Sequence, residues 1–141
     1  MSAPEHATDV RDWLRRALDD LRWARHSLNG GFLPQACFGC QQAVEKTLKS
    51  FLLAYDRPPR RIHSLPDLLK EAAEFDRDAD QFQDSVLVLD AYYTPTRYAD
   101  TPVAVDYTET RVRDAIERAI TIVQWFEARI ERRLSDHAES E

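Results

Sequence analysis

The only two cysteines of this chain, Cys37 and Cys40, are spaced as C-x-x-C, which is a spacing that redox-active dithiols and zinc sites use. A tetrahedral zinc site needs four ligands, and the sequence has neither a second cysteine pair nor a well-spaced histidine pair. A thioredoxin-like dithiol would lie in alternating strands and helices, a pattern that is absent here. On a helical wheel both cysteines fall on the apolar face. The sequence therefore favours buried structural cysteines, with a redox or metal role as the alternative.

A polar stripe runs along another face of the same predicted helix. Gln42, Glu45 and Lys49 align there with Phe38, and Lys46 lies beside them. The simpler interpretation is a solvated surface with an i,i+4 pair between Glu45 and Lys49. The alternative is a ligand rim or an interface, since an exposed phenylalanine beside an amide and charges suits a contact surface.

Basic residues precede the next predicted helix. Arg57, Arg60 and Arg61 come just before His63 and the predicted N-cap Ser64, and a helix N-terminus favours anions. The stretch is therefore a candidate anion site, in which His63 would transfer a proton or contact the anion. The alternative is that His63 only closes the loop through a hydrogen bond.

An irregular segment, TPTRYADTPVAVDY, is a further candidate because functional residues concentrate in long loops. Arg97 could grip a phosphate with two hydrogen bonds, or could pair with an acidic side chain such as Glu45. Tyr98, with Tyr92 and Tyr93, could stack on a base or pack in the core.

Composition restricts the class of protein that could carry these groups. The chain has 141 residues, 43% of them hydrophobic and 31% charged, with a net charge of −6. We expect one domain at residues 9–134 with disordered ends at 1–8 and 135–141. The acidic balance argues against a domain-wide nucleic-acid surface but leaves room for a small anion site. Without a long apolar run or a secretion signal at the N-terminus, we expect a cytoplasmic protein that does not enter a membrane.

Hydrophobic periodicity and helix end signals predict an all-α protein. The expected helices cover 9–29, 34–56, 65–75, 79–93 and 108–134. The first and last have heptad-like seams that should pack side by side. The predicted fold is an antiparallel helical bundle of about five helices, with an up-and-down four-helix core and a short extra helix.

Several short motifs occur in an order that resembles the HEPN family, the "higher eukaryotes and prokaryotes nucleotide-binding" domains. They are D-L-x-x-A from Asp20, G-x-x-x-x-A-x-F from Gly31, QQAVEKTLK from Gln41, H-S-L from His63 and YYTPTRY from Tyr92. The resemblance covers about residues 9–130. It implies a helical bundle that is usually homodimeric. Many members are small prokaryotic proteins encoded beside a minimal nucleotidyltransferase, often as toxin–antitoxin pairs.

The resemblance implies either a non-catalytic binding domain or a metal-independent endoribonuclease. The nuclease branch has an Arg and a His on one helix, with four to six residues between them. His can then move the 2′-hydroxyl proton while Arg stabilises the phosphorane. After Arg97 the corresponding positions are Pro102, Val103 and Ala104, and two prolines separate Arg57 from His63. The nuclease pattern is therefore not clearly present.

Taken together, the residues and the resemblance predict a HEPN-type module that binds a nucleotide or RNA phosphate without a metal or cofactor. The predicted ligand-binding residues are Gln42, Glu45, Lys46, Lys49, Arg61, His63, Arg97 and Tyr98. The expected partners are a second copy and a minimal nucleotidyltransferase. One alternative is an endoribonuclease toxin that uses His63 with Arg97 or Arg57, and the other is a purely structural protein–protein adaptor.

Overall fold

Helices make up most of residues 3–93 and 106–139, the part of the chain that the computed structural model describes. The five α-helices are α1 (Ala3–Asn29), α2 (Leu33–Ala54), α3 (Leu65–Phe75), α4 (Gln83–Asp90) and α5 (Glu109–Glu139). A 3₁₀ helix (Arg77–Phe82) connects α3 to α4, and these described ranges contain no strand. The predicted all-α helical bundle is confirmed.

The helix α2 is the centre of the bundle, because it packs against α1, α3, α4 and α5. A short turn at Gly30 and Gly31 reverses the chain between α1 and α2, and Gly31 has a positive φ of 84° that suits glycine. Side chains along α2, among them Cys37, Cys40 and Phe51, are fully buried. The prediction that both cysteines lie on the core face is confirmed.

The observed helix ends agree with the sequence where a side chain provides the end signal. The helix α3 spans the predicted residues, and the backbone N–H of Asp67 donates to the Ser64 hydroxyl over 3.3 Å. The predicted single helix at 79–93 is wrong. Asp76 accepts a hydrogen bond from the N–H of Asp78 over 3.1 Å, which starts a 3₁₀ turn first. The helices α1 and α5 extend beyond the predicted boundaries 9 and 134.

Burial of the cysteines should make the fold less stable at alkaline pH. Desolvation raises the pKa of the Cys37 thiol from 9.0 to about 11 and that of its hydrogen-bond partner Tyr92 from 10.0 to about 12. The pKa of Cys37 is higher in the folded state than in the unfolded state. The stabilising contribution of the buried, protonated thiol is therefore complete below pH 9 and is lost as the pH rises towards 11.

We therefore expect the free energy of unfolding to fall between pH 9 and pH 11, by up to about 2–3 kcal/mol from Cys37 alone. Urea unfolding at a series of pH values measures this loss. The Cys37→Ala variant should lose less stability over the same interval, and an equal loss in both proteins would contradict the assignment.

Candidate functional site

The charged residues of the polar stripe on α2, Glu45 and Lys49, are buried and Gln42 is half-buried, so the interpretation of the stripe as a solvated surface is wrong. Glu45 is 5% exposed and Lys49 is 6% exposed, while Gln41 is completely buried. The reason is the central position of α2, since α1 and the segment before α3 cover the face that carries these side chains. Charged groups this deep in a protein must be paired to remain charged.

Glu45 is the centre of a hydrogen-bonded group that we call the Glu45 network, made of Gln41, Glu45, Lys49 and His63. The predicted pair with Lys49 is present, with 3.0 Å between Nζ and Oε2. Gln41 Nε2 lies 3.1 Å from Glu45 Oε1 and 3.2 Å from the carbonyl oxygen of His63. His63 Nδ1 lies 3.1 Å from Glu45 Oε2. The network joins α2 to the residue that precedes the N-cap of α3.

The network holds the His63 ring in one orientation. An ionised carboxylate can only accept a hydrogen bond, so Nδ1–H donates to Glu45 and a neutral ring has its acceptor on Nε2. One face of the ring stacks on Tyr93, with the centroids 4.7 Å apart and the planes 14° from parallel. The His63 side chain nevertheless remains 46% exposed. The arrangement presents an oriented imidazole to solvent.

Gln42 and Lys46 form the half-buried border of this network. Gln42 Nε2 donates to Gln41 Oε1 over 2.8 Å. Lys46 Nζ donates to Asp20 of α1 over 2.7 Å, and burial raises the pKa of that carboxyl group despite the contact. The positive charge of Lys46 is therefore largely balanced within the protein.

The basic cluster before α3 is mostly paired with α3 itself. Arg57 contacts Glu74 over 3.1 Å, and Arg60 pairs with Glu71. Arg61 is exposed and forms no ion pair within residues 3–93 and 106–139. Arg57 and Arg60 of the candidate anion site are therefore already paired, since Glu71 and Glu74, about two turns into α3, lie within their reach.

The N-terminus of α3, another predicted anion site, already has an anion. The backbone N–H of Leu65 donates to Asp90 Oδ1 over 2.9 Å, and that of Asp67 donates to Ser64. Pro66 has no N–H to offer. An external phosphate near this helix would therefore meet the side chains of His63 and Arg61 rather than free backbone donors.

The structure thus brings Glu45, Lys49 and His63 together, with Gln42 and Lys46 at the border. Arg97 and Tyr98 belong to 94–105, which lies outside the described residues.

Sequence reasoning did not include Gln41, Asp20 and Tyr93 among the site residues. Gln41 could have been identified because it lies one helical turn before Glu45. The contacts of Asp20 and Tyr93 join residues distant in sequence and have no such local signal.

The described part of the chain has neither a metal-binding cluster nor a helix that could span a membrane. Within it, no group of three or more His, Cys, Asp or Glu residues could hold a metal ion. None of its helices combines the length and the apolar character needed to cross a membrane.

Comparisons with known proteins identify the family. The model of the HEPN domain matches residues 10–130. Among solved structures, TT1696 from Thermus thermophilus is 38% identical, with a TM-score of 0.75 over 84% of this chain and 96% of that one. ST0689, an archaeal HEPN homologue, is 32% identical, with a TM-score of 0.70 over 86% and 97%.

A HEPN domain protein from Thermotoga maritima (TM0613) is 29% identical, with a TM-score of 0.54 over 91% of this chain and 98% of that one. No curated protein matches the chain. The family-model match spans all four residues of the Glu45 network, and the solved relatives cover most of the fold. The chain belongs to the HEPN domain family.

Proposed function

We propose that this HEPN-type module binds a phosphate-bearing ligand, a nucleotide or an RNA phosphate, at the surface around His63. The observation that supports this most directly is the fixed but exposed imidazole, held by Glu45 at one nitrogen and by Tyr93 on one face. A side chain fixed in this way loses little entropy when a ligand binds. Arg61, two residues away and without an ion pair in the described ranges, supplies a positive charge that a phosphate would recognise.

The Glu45 network positions this proposed binding site without adding charge to it. Lys49 and Lys46 are neutralised by Glu45 and Asp20, so they set the position of the site rather than its charge. The contacts with the ligand then come from His63 and Arg61, with Arg97 and Tyr98 of the neighbouring segment as proposed further contacts. The module needs no metal or cofactor for this role.

A second candidate function is a metal-independent endoribonuclease, which the contact between His63 and Glu45 favours. With Nδ1–H bound to Glu45, Nε2 of neutral His63 can take the proton of a ribose 2′-hydroxyl. The 2′-oxygen then attacks the adjacent phosphorus, the 5′-oxygen takes a proton from water as its bond to phosphorus breaks, His63 releases its proton to solvent, and a 2′,3′-cyclic phosphate remains. Arg61 or Arg97 would stabilise the phosphorane, because Arg57 is paired with Glu74.

The proposal includes the partners that the family resemblance implies. We propose a cytoplasmic homodimer that associates with a minimal nucleotidyltransferase in a toxin–antitoxin-like pair. In the adaptor alternative, the same surface around His63 would contact protein only, and neither nucleotide nor RNA would bind.

Replacing His63 with alanine is expected to weaken binding of ATP, GTP or a short RNA by about tenfold or more, because a charge-assisted contact is lost. Isothermal titration calorimetry measures this change, and Arg61→Ala should weaken binding in the same direction. The control is Arg132→Ala, which removes an exposed arginine from α5. No heat with any of these ligands would contradict the binding proposal and favour the adaptor.

The same RNA, incubated with the protein in the presence and absence of EDTA, separates the two candidate functions. Cleavage that survives EDTA and disappears in His63→Ala would support the nuclease. Binding without cleavage would support the non-catalytic binding module.

A further inference from the structure

A row of aromatic rings leads from His63 across the surface of the bundle to α1. We call it the aromatic row, and its members are His63, Tyr93, Phe38 and Trp23. Tyr93 stacks on His63 at 4.7 Å and, with planes 28° from parallel, on Phe38 at 6.3 Å. Phe38 in turn meets the Trp23 ring edge-on at 6.4 Å. The proposed phosphate site is therefore one end of a continuous aromatic surface.

The two ends of the row are its most exposed members. Trp23 is 43% exposed and is one of the few large hydrophobic side chains among the described residues with such exposure. Its position is determined by Gly39, because a Cβ at that residue would lie 2.9 Å from Trp23 Cε3. His63 at the other end is 46% exposed. Tyr93 and Phe38 between them are half-buried and hold the end rings in place.

Polar side chains accompany the row along its length. Gln42 and Lys46 follow Phe38 at successive i,i+4 positions on α2, and Lys46 reaches α1 through Asp20, one turn before Trp23. Gln42 uses one amide hydrogen towards Gln41, which leaves its carbonyl oxygen as an acceptor.

The cation of the row lies at its His63 end. Arg22, next to Trp23 in sequence, is 80% exposed but pairs with Asp19 and lines the groove between α1 and α5 instead. The surface therefore combines ring faces with an amide along the row and with the cation Arg61 beside His63.

We propose that the aromatic row is a stacking site for the unpaired bases of single-stranded RNA, which enters with a phosphate at His63 and extends towards Trp23. This inference depends on the proposed function and names the class of ligand that the same site takes. Aromatic rings beside cations are the combination that binds single strands, since every base has a π face and every linkage a phosphate. Bases in a duplex are already stacked on each other and could not use the rings.

The test uses fluorescence anisotropy with a labelled oligouridine. We expect Trp23→Ala to weaken binding by about 5- to 100-fold, whereas Trp23→Phe, which keeps a ring face, should retain most of the affinity. Leu87→Ala is the matched control, because it removes another exposed large hydrophobic side chain, 60% exposed on α4. Unchanged affinity in Trp23→Ala, or equal losses in Trp23→Ala and Leu87→Ala, would overturn the inference.

An abasic oligomer with the same number of phosphates separates this inference from the proposed function. If wild type binds the oligouridine at least several-fold more tightly than the abasic oligomer, and Trp23→Ala removes that difference, base stacking is supported. Equal binding of both oligomers would overturn stacking while leaving phosphate binding at His63 intact. Binding of neither would overturn both. A change of oligomeric state in Trp23→Ala, with unchanged RNA affinity, would assign the row to contact between copies instead.

Discussion

Replacing Lys49 with methionine is expected to lower the free energy of unfolding by about 3–5 kcal/mol. The substitution keeps most of the side-chain volume but deprives the Glu45 carboxylate, 5% exposed, of the buried cation that pairs with it. Gln41 and His63 would still contact that carboxylate, but neither has the fixed positive charge of lysine. Urea unfolding followed by circular dichroism measures the difference between variant and wild type.

The matched control is Arg16→Met, which breaks another i,i+4 ion pair at a surface site. Arg16 lies 3.1 Å from Asp12, and the two side chains are 55% and 37% exposed. We expect a loss below about 1 kcal/mol there, because water screens the pair and solvates the remaining charge. Equal losses in the two methionine variants would mean that burial of the Glu45 network has no energetic consequence.

A double-mutant cycle extends this test to the origin of the effect. Adding Glu45→Gln to Lys49→Met removes the uncompensated charge, so the double variant should recover part of the lost stability. A purely additive result would show that the loss comes from packing of the lysine stem rather than from the charge. Because Glu45 also orients His63, the double variant should bind the phosphate-bearing ligand more weakly than wild type.

Replacing Gly39 with valine is expected to destabilise the bundle by about 2–3 kcal/mol, because α1 and α2 are too close at this point for a larger residue. A Cβ there would lie 2.9 Å from Trp23 Cε3, 3.2 Å from the Cβ of Ala24 and 3.3 Å from the backbone oxygen of Asp20. The exposed Trp23 ring can move away, but the Asp20 backbone can move only with α1. Gly39→Ala should cost less, since alanine gains about 1 kcal/mol of helix propensity over glycine.

The control for Gly39→Val is Gln35→Val, at an exposed position of the same helix. It introduces the same β-branched side chain without a contact between helices, so we expect a change below about 1 kcal/mol. Thermal or urea unfolding measures both variants. Gly39→Val should also displace Trp23 and weaken oligouridine binding, whereas Gln35→Val should not. A Gly39→Val protein as stable as wild type would contradict the close approach of α1 and α2.

Local patterns were sufficient for much of the fold. The helix α3 has the predicted ends because Ser64 and Asp67, three residues apart, form a cap that needs no distant partner. Prediction was wrong at the 3₁₀ helix, whose start depends on a hydrogen bond to Asp76. The apolar periodicity of residues 79–93 carries no information about backbone hydrogen bonds, so it could not predict that a 3₁₀ helix precedes α4.

At the candidate site, local spacing predicted one contact and could not predict the others. Spacing alone predicted the pair between Glu45 and Lys49, because residues four apart on a helix are neighbours. The same spacing could not show that the pair is buried or that His63, eighteen residues further along, is bound to it. It also could not show that Arg57 and Arg60 are engaged by acidic residues of α3.

The sequence by itself determined the helical class, the core face of α2 that contains both cysteines, and the family motifs, because these depend on periodicity and short-range spacing. Only the tertiary structure decided which polar side chains are buried and which remain accessible. The physical reason is that burial depends on the elements that pack against a residue. Here α1 and the segment before α3 enclose Glu45 and Lys49 and leave His63 and Trp23 partly in water.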